Sequence, residues 1–317
     1  MQTQIQQIIA QSGTKTSKIR QLINLGISRT EIARMLTNGN YGFVQNVYKK
    51  MQAEGQIAAL TQTIASPSIT PRAFEKKFGV EFEAYNVSME TLKNRLNAAG
   101  IACQTEGYNH TTRSHWKIVS DSSLSGNQTF ELVSPILKGE AGIAQMLKVC
   151  DILNKCGAKV NKSCGTHVHI NARNFTLEQW KRIYINYSRL EKTIDGFMPE
   201  SRRKSNNHFC KGFSEVVNFE TKINQANSLL EISQKLEGSR YWKINPLSYD
   251  RHNTCEFRQH AGTTDFVKIS SWVRFLNNLV DFSEENLVGD RTIGGFKNFN
   301  SIELTNYFEY RTLELAA

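Results

Sequence analysis

The stretch FGVEFEAY, residues 78–85, decides the reading of this chain. Its alternation sets Glu81 and Glu83 on one face of a strand and Val80, Phe82 and Ala84 on the other. One face is suited to a core, while the other carries two like charges side by side. On a buried or cleft-facing strand such a pair is costly unless a cation neutralises it. Hard-metal ligation is one reason for the pairing, and a solvated strand face is the other.

The same device recurs downstream. CGTHVHINA (164–172) puts His167 and His169 on one face, with Gly165 allowing close backbone approach. Half a zinc site, a pair of catalytic bases or strand histidines satisfied by hydrogen bonds would each use this pattern. TCEFRQHAGTTD (254–265) sets Glu256, Arg258 and His260 opposite Cys255, Phe257 and Gln259. Glu beside Arg can be a structural ion pair, yet the guanidinium fork is also what holds a transferring phosphoryl group. In QTFELVSPIL (128–137) Glu131 interrupts an apolar strand, and Asp121 precedes it in WKIVSDSSL (116–124). Cys164 beside Gly-Thr-His admits a thiol nucleophile with a histidine base, a reading that leaves the acidic pairs unused.

Around these motifs, short β-rich runs alternate with longer helical ones. Strands are expected near 78–85, 101–105, 115–120, 128–133, 158–161, 165–171, 241–245 and 254–260. Apolar residues at three- and four-residue spacing predict helices over 89–99, 140–156, 176–195, 221–236 and 265–284. Neither common Gly-rich phosphate loop is present, which disfavours a doubly wound nucleotide fold. An α+β domain on an antiparallel sheet is expected over residues 75–317.

The first 60 residues read differently. Ile19, Leu22 and Ile23 stop at Gly26, Ser28 and Glu31 have capping-box spacing before Ile32, Met35 and Leu36, and Tyr41, Val44, Val47 and Tyr48 line one helical side. This three-helix module resembles the helix-turn-helix family, whose last helix enters the major groove; that implies Asn40, Tyr41, Gln45 and Lys49 as DNA-contacting candidates. A docking or oligomerisation module is the alternative. Residues 61–74 are read as a linker.

Length fits a large domain plus a small module, and no internal repeat is visible. The 39 Lys and Arg exceed the 29 Asp and Glu to give +10, which favours polyanionic partners. Half of that excess lies in residues 1–60, where seven basic residues face Glu31 and Glu54. Six cysteines without a C-x-x-C pair indicate neither a disulfide scaffold nor a zinc ribbon. With no secretory leader and no apolar run of about 18 residues, a soluble cytoplasmic protein is expected, with no membrane partner.

Taken in order, GVEFE, W-K-x-x-x-D-x-S-L, FELVSPIL, G-T-H-V-H-I and EFRQHAGTTD resemble the amidoligase family, related to the catalytic domains of glutamine synthetase and glutamate-cysteine ligase. The resemblance spans about 75–285 and implies a glutamine-synthetase-like domain on a curved antiparallel sheet. It also implies a ligase that uses ATP and Mg²⁺ (or Mn²⁺) to join a small-molecule or peptide carboxylate to an amine through an acyl phosphate. Glu81 and Glu83 would then be divided between two ions, with His167 and Glu256 joining the ion at the transferred phosphate and Glu131 serving the other. Asp121 would be a further ligand of that other ion or would meet the incoming amine. Arg258 would steady the γ-phosphate or the carboxylate, and His169 would contact nucleotide or substrate, so that Glu256, Arg258 and His169 form the catalytic set. MPESRRKSNNHFC (198–210) resembles a family feature and offers Arg202, Arg203 and Lys204 for phosphates or an acidic substrate, or is a solvated loop. Two other classes compete: a two-metal phosphohydrolase or nuclease, with water in place of the amine, and a non-enzymatic DNA-binding regulator.

Overall fold

The structure, a computed structural model, describes residues 2–25, 27, 29–38, 41–54 and 74–316. It divides into two compact units, residues 1–68 with 310–317, and residues 69–309.

The first unit contains α1 (Gln2–Ala10), α2 (Lys15–Asn24), α3 (Arg29–Leu36) and α4 (Tyr41–Ala53). Thr14 caps α2 by accepting a hydrogen bond from the Ser17 amide. Ile19, Leu22, Ile23, Ile32, Ala33, Val44, Val47 and Met51 form its core. The sequence pattern foresees α2, α3 and α4, whereas α1 is additional. Met35, expected on the apolar face, is 38% exposed. Of the DNA-contact candidates, Lys49 is exposed, the side chains of Tyr41 and Gln45 are not described, and Asn40 lies outside the described residues, as do Gly26, Ser28 and nearly all of the expected linker.

In the second unit the chain runs β1 (Lys77–Ala84), α5 (Met89–Ala98), β2 (Cys103–Thr105), β3 (Trp116–Val119), β4 (Phe130–Val133), β5 (Leu137–Lys138), α6 (Gly139–Lys155), β6 (Thr166–Asn171) and α7 (Leu177–Gly196). It continues through α8 (Phe219–Asn224), α9 (Leu229–Lys235), β7 (Ile244–Asn245), α10 (Ser248–His252), β8 (Thr254–Phe257), α11 (Phe266–Phe282) and the first part of α12 (Ile302–Ala316), whose residues from 310 on belong to the first unit. The strands form one sheet in the order β2-β3-β4-β1-β6-β8-β7, with β5 beside β1. All its pairings are antiparallel except β2 with β3. This is the expected α+β architecture.

Alternation in β1 does what its sequence requires: Phe78, Val80, Phe82 and Ala84 are almost fully buried in the core. Each such aromatic or branched side chain stabilises the fold by about 1.5–3 kcal/mol. Ile143, Met146, Val149 and Leu153 of α6, Ile183, Tyr187, Leu190 and Ile194 of α7, and Trp272, Phe275, Leu276 and Leu279 of α11 belong to the same core. α6 approaches closely because residue 142 is glycine, where a Cβ would lie 2.9 Å from the Phe78 ring. The helix starts are set locally: Ser88 accepts from the Thr91 amide, Thr176 and Gln179 make a capping box, and Asp265 accepts from the Lys268 amide. With one sheet face covered by helices, the charged face lines a cleft.

Some expected elements differ. Residues 158–161 form only the isolated bridge Lys159–Tyr85, because Asn161 turns the chain by accepting a hydrogen bond from the Ser163 amide. The helix expected over 221–236 breaks into α8 and α9, and Ser228 caps the second through the Glu231 amide. The tail from 286 on, which shows no recognisable motif in the sequence, carries α12. Among the described residues no helix is long and apolar enough to cross a membrane, and all six cysteines are free.

Candidate active site

Strand register builds the site. β1 pairs with β4 so that Glu83 faces Glu131, and with β6 so that Glu81 faces His167. β6 pairs with β8 so that His169 faces Glu256, which in turn faces Asn245 of β7. Acidic and imidazole groups from four adjacent strands therefore form a row on the open face, and Asp121 joins them from the segment after β3. They line a cleft of about 1190 Å³, together with Lys117, Arg202, Arg240, Arg251 and Arg258.

The contacts are short. Glu81 Oε2 lies 2.8 Å from His167 Nδ1, and Glu81 Oε1 lies 3.3 Å from His169 Nε2. His167 Nε2 is 3.5 Å from Glu83 Oε1, whose other oxygen accepts the Gly165 N–H at 2.5 Å. Glu256 accepts from Arg258 Nη1 at 2.5 Å and from Asn245 Nδ2 at 2.6 Å. A hydroxyl pair fixes His169: Thr254 Oγ1 is 2.9 Å from Nδ1 and 2.9 Å from Ser248 Oγ.

Electrostatics divides the carboxylates. Burial works against the charged form of Glu81, but His167 and His169 beside it outweigh burial and hold the carboxyl well below its usual range. Glu256 is brought down to about 2 despite its burial, through Arg258 and His169. Glu131 goes the other way, pushed well above the carboxylate range by burial and by the nearby charges of Glu81, Glu83 and Asp121. Burial lowers the affinity of His169 for its proton, yet Glu256 and Glu81 prevail and raise it.

This donor set fits divalent cations. Three groups of ligand atoms each lie within 4.8 Å of one another: Glu81, His169 and Glu256; Glu81, Glu131 and His167; and Glu83, Asp121 and Glu131. Oxygen-rich sets with one imidazole suit Mg²⁺ or Mn²⁺. His169 Nε2 is buried, 3.3 Å from Glu81 Oε1, and makes no hydrogen bond of proper geometry. The tautomer with its proton on Nδ1, toward Thr254 Oγ1, leaves Nε2 free to ligate a cation.

The grouping adds to the expected division of ligands. His169 collects with Glu81 and Glu256, and His167 collects with Glu81 and Glu131 while its Nδ1 also lies 3.9 Å from Glu256 Oε1. Ladder register is the reason, since it opposes His169 to Glu256 and His167 to Glu81. A correction concerns the basic run. Neither Arg203 nor Lys204 lines the cleft: Arg203 Nε donates to the Met198 carbonyl and Lys204 is exposed. Arg202 takes the place instead, 3% exposed, with Nη2 donating to the Cys164 carbonyl at 2.6 Å and Nε without a partner. Gly165 makes room for it, because a Cβ there would sit 3.1 Å from Arg202 Nη2 and 3.2 Å from His167 Nε2. Cys164 is buried and its thiol is pushed up by burial, which makes it a poor nucleophile. Sequence reading missed Asn245, Thr254 and Ser248, whose signal is only their register beside Glu256 and His169. It also passed over Lys117, a charge inside the apolar run WKIV.

Fold and site together define a class: an α+β domain whose sheet carries a carboxylate and imidazole row able to hold divalent cations. The chain belongs to the Amidoligase_2 family, described as "Putative amidoligase enzyme", which matches residues 75–280. No curated protein matches it. One solved structure, "Crystal structure of novel glutamine synthase homolog", is similar at 12% identity over 77% of this chain and 66% of that one, with a TM-score of 0.37. This chain spans just under two thirds of that protein.

Proposed function

We propose that the protein is an ATP- and Mg²⁺-dependent ligase that joins an amine to a carboxylate through an acyl phosphate. The observation that carries this reading is the convergence of five carboxylates and two imidazoles on one sheet face, with Arg202 and Arg258 at its border, in a member of the amidoligase family. Mg²⁺ held there would offset the repulsion between an anionic acid and the triphosphate.

The chain's own groups have distinct tasks. Glu81, Glu131, His167, Glu83, Asp121, His169 and Glu256 supply the ligand atoms. Arg258, held by Glu256 at 2.5 Å, is oriented toward the same space and offers its remaining N–H groups to the transferring phosphoryl oxygens. A substrate carboxylate oxygen attacks the γ-phosphorus of ATP, the bond to the β-phosphate oxygen breaks, and ADP leaves. The amine then attacks the acyl carbon, and phosphate departs as the C–N bond forms and the amine loses a proton. The departing phosphate is basic enough to take that proton.

Incubation with Mg²⁺-ATP, mixed amino acids and polyamines tests this, with ADP and new amide masses as readouts. ADP release that requires both an acid and an amine, with an amide product, is expected. ADP release indifferent to the amine would instead support a phosphohydrolase.

A further inference from the structure

Residues 106–115 connect β2 to β3 at one end of the sheet, and the Tyr108 side chain meets that of Arg240, from the residues that precede β7 at the other end. Tyr108 lies against the Arg240 guanidinium, which sits 5.3 Å over the Tyr241 ring. The connection before β3 and the one before β7 thus meet over the face that carries the carboxylate row, and Tyr108, Asn109, His110, Thr111 and Thr112 line the same cleft as Glu81 and Glu256.

Two anchors hold this segment. At its base Glu106 is clasped by Arg113 through Nε at 3.0 Å and Nη2 at 2.8 Å, and by His115 at 3.1 Å. In its middle Lys117, 3% exposed, rises from β3 and gives its ammonium protons to Asn109 O (2.8 Å), Asn109 Oδ1 (3.0 Å) and Thr111 O (2.9 Å). A lysine buried beside an acidic row would ordinarily pair with a carboxylate. Lys117 spends all three donors on neutral acceptors of the crossing segment, so its geometry serves position rather than charge balance. Above the row, Arg240 and Arg251 line the cleft without a carboxylate partner among the described residues, and His110 feels both charges. The space between an acidic floor and this cationic roof suits a ligand that is anionic on its upper side and cation-bridged below.

We propose that residues 106–115 are a strap over the carboxylate row, that Tyr108 and His110 touch the anionic substrate beneath it, and that Lys117 is the positioning residue that holds the strap. The proposal rests on the reading above only in requiring that the cleft admit an anionic substrate, either the nucleotide's phosphates or the acid.

Trypsin nicking after Arg113, followed by mass spectrometry on the full chain, reports strap opening without any need for turnover. Inorganic triphosphate with Mg²⁺ and glutarate with Mg²⁺ are the two anion probes, and Mn²⁺ affinity reports an intact floor. In the wild type at least one probe slows nicking; protection by triphosphate assigns the roof to phosphates, and protection by glutarate alone assigns it to the acid. Lys117→Met is nicked about tenfold faster, as loss of a charged donor from three acceptors permits. It loses probe protection yet keeps its Mn²⁺ affinity within about twofold, and Lys117→Arg restores part of the protection. Tyr108→Ala with His110→Ala, which leaves the lysine anchor in place, weakens the protecting anion about tenfold. Wild-type nicking that ignores both probes, or Lys117→Met cut at the wild-type rate, overturns the proposal. A strap that responds in a protein that makes no amide removes the ligase reading and leaves this one standing.

Discussion

Two groups of buried charge in the second unit make opposite use of acidic residues. Against α7, Lys243 is fully buried between Asp195, at 2.7 Å, and Glu191, at 3.0 Å. Every remaining acceptor there is filled: Glu191 takes the Phe213 and Ser214 amides, and Asp195 takes the Lys204 amide and Gln259 Nε2. Gln259 also donates to the Arg202 carbonyl. In the cleft, by contrast, Glu256 alone meets a guanidinium among the described residues, while Glu83 stands opposite Glu131 and Glu81 leans on two imidazoles. Burial alone therefore does not mark a functional acid. An acid whose charge and lone pairs are satisfied by its own chain is structural, and a row left with surplus negative charge awaits a cation. The first group also serves the second, because it fixes the segment that delivers Arg202.

Substitutions sharpen this contrast. The largest effect falls on turnover: Glu81→Ala and Glu256→Ala should each lower it by about 10³-fold or more, as loss of several kcal/mol of charge stabilisation requires, while circular dichroism stays native. Retained activity in both variants would dissolve the distinction. Next comes stability, where Lys243→Met, which strands two buried carboxylates, should cost about 3–5 kcal/mol in a urea melt. A near-neutral result would mean that the group by α7 is not the balanced ion network described.

A smaller effect of opposite sign is expected at Glu131. Its pKa is raised in the fold, so without metal its contribution to stability is greatest below the unfolded carboxylate pKa and is lost as pH rises toward the folded value. Glu131→Gln, which mimics the protonated acid, should make the metal-free protein more stable at neutral pH. It should also diminish the gain from Mn²⁺, which for the wild type at about 100 times Kd is roughly 2.7 kcal/mol. Thermal melts with and without Mn²⁺ read both.

The smallest effect is at the strap. Arg113 is the chief cause that holds Glu106 down at about 2, so the clasp contributes fully above the unfolded value of 4.5 and is lost as pH falls toward 2. Exposure of the Arg113 partner keeps this contribution slight. Amide exchange over 107–114, corrected for intrinsic rate, should quicken across that window and leave β1 unchanged.

The floor was legible in the sequence because alternation is a local rule: Glu81 with Glu83, and His167 with His169, share faces whatever their neighbours do. Which of them would meet was not legible. Grouping His169 with Glu256 depends on the register between β6 and β8, a long-range property that spacing within one strand does not encode. Arg202 was indistinguishable from Arg203 and Lys204 as a basic run. The selection follows from Gln259 and Asp195, distant in sequence, which pin the backbone around it. Lys117 and the strap escaped for the same reason, since the acceptors of one and the span of the other exist only once the sheet has formed. The break between α8 and α9 was visible in principle, as Asn227-Ser228 is a cap signal inside the helical pattern.

The central claim is that the surplus carboxylates of the cleft hold divalent cations, and anomalous diffraction from crystals grown with Mn²⁺ tests it most directly. The account predicts at least one peak about 2.2 Å from oxygens of Glu81 or Glu131, lost in Glu81→Gln crystals. An empty row, with manganese bound only elsewhere or not at all, would contradict it.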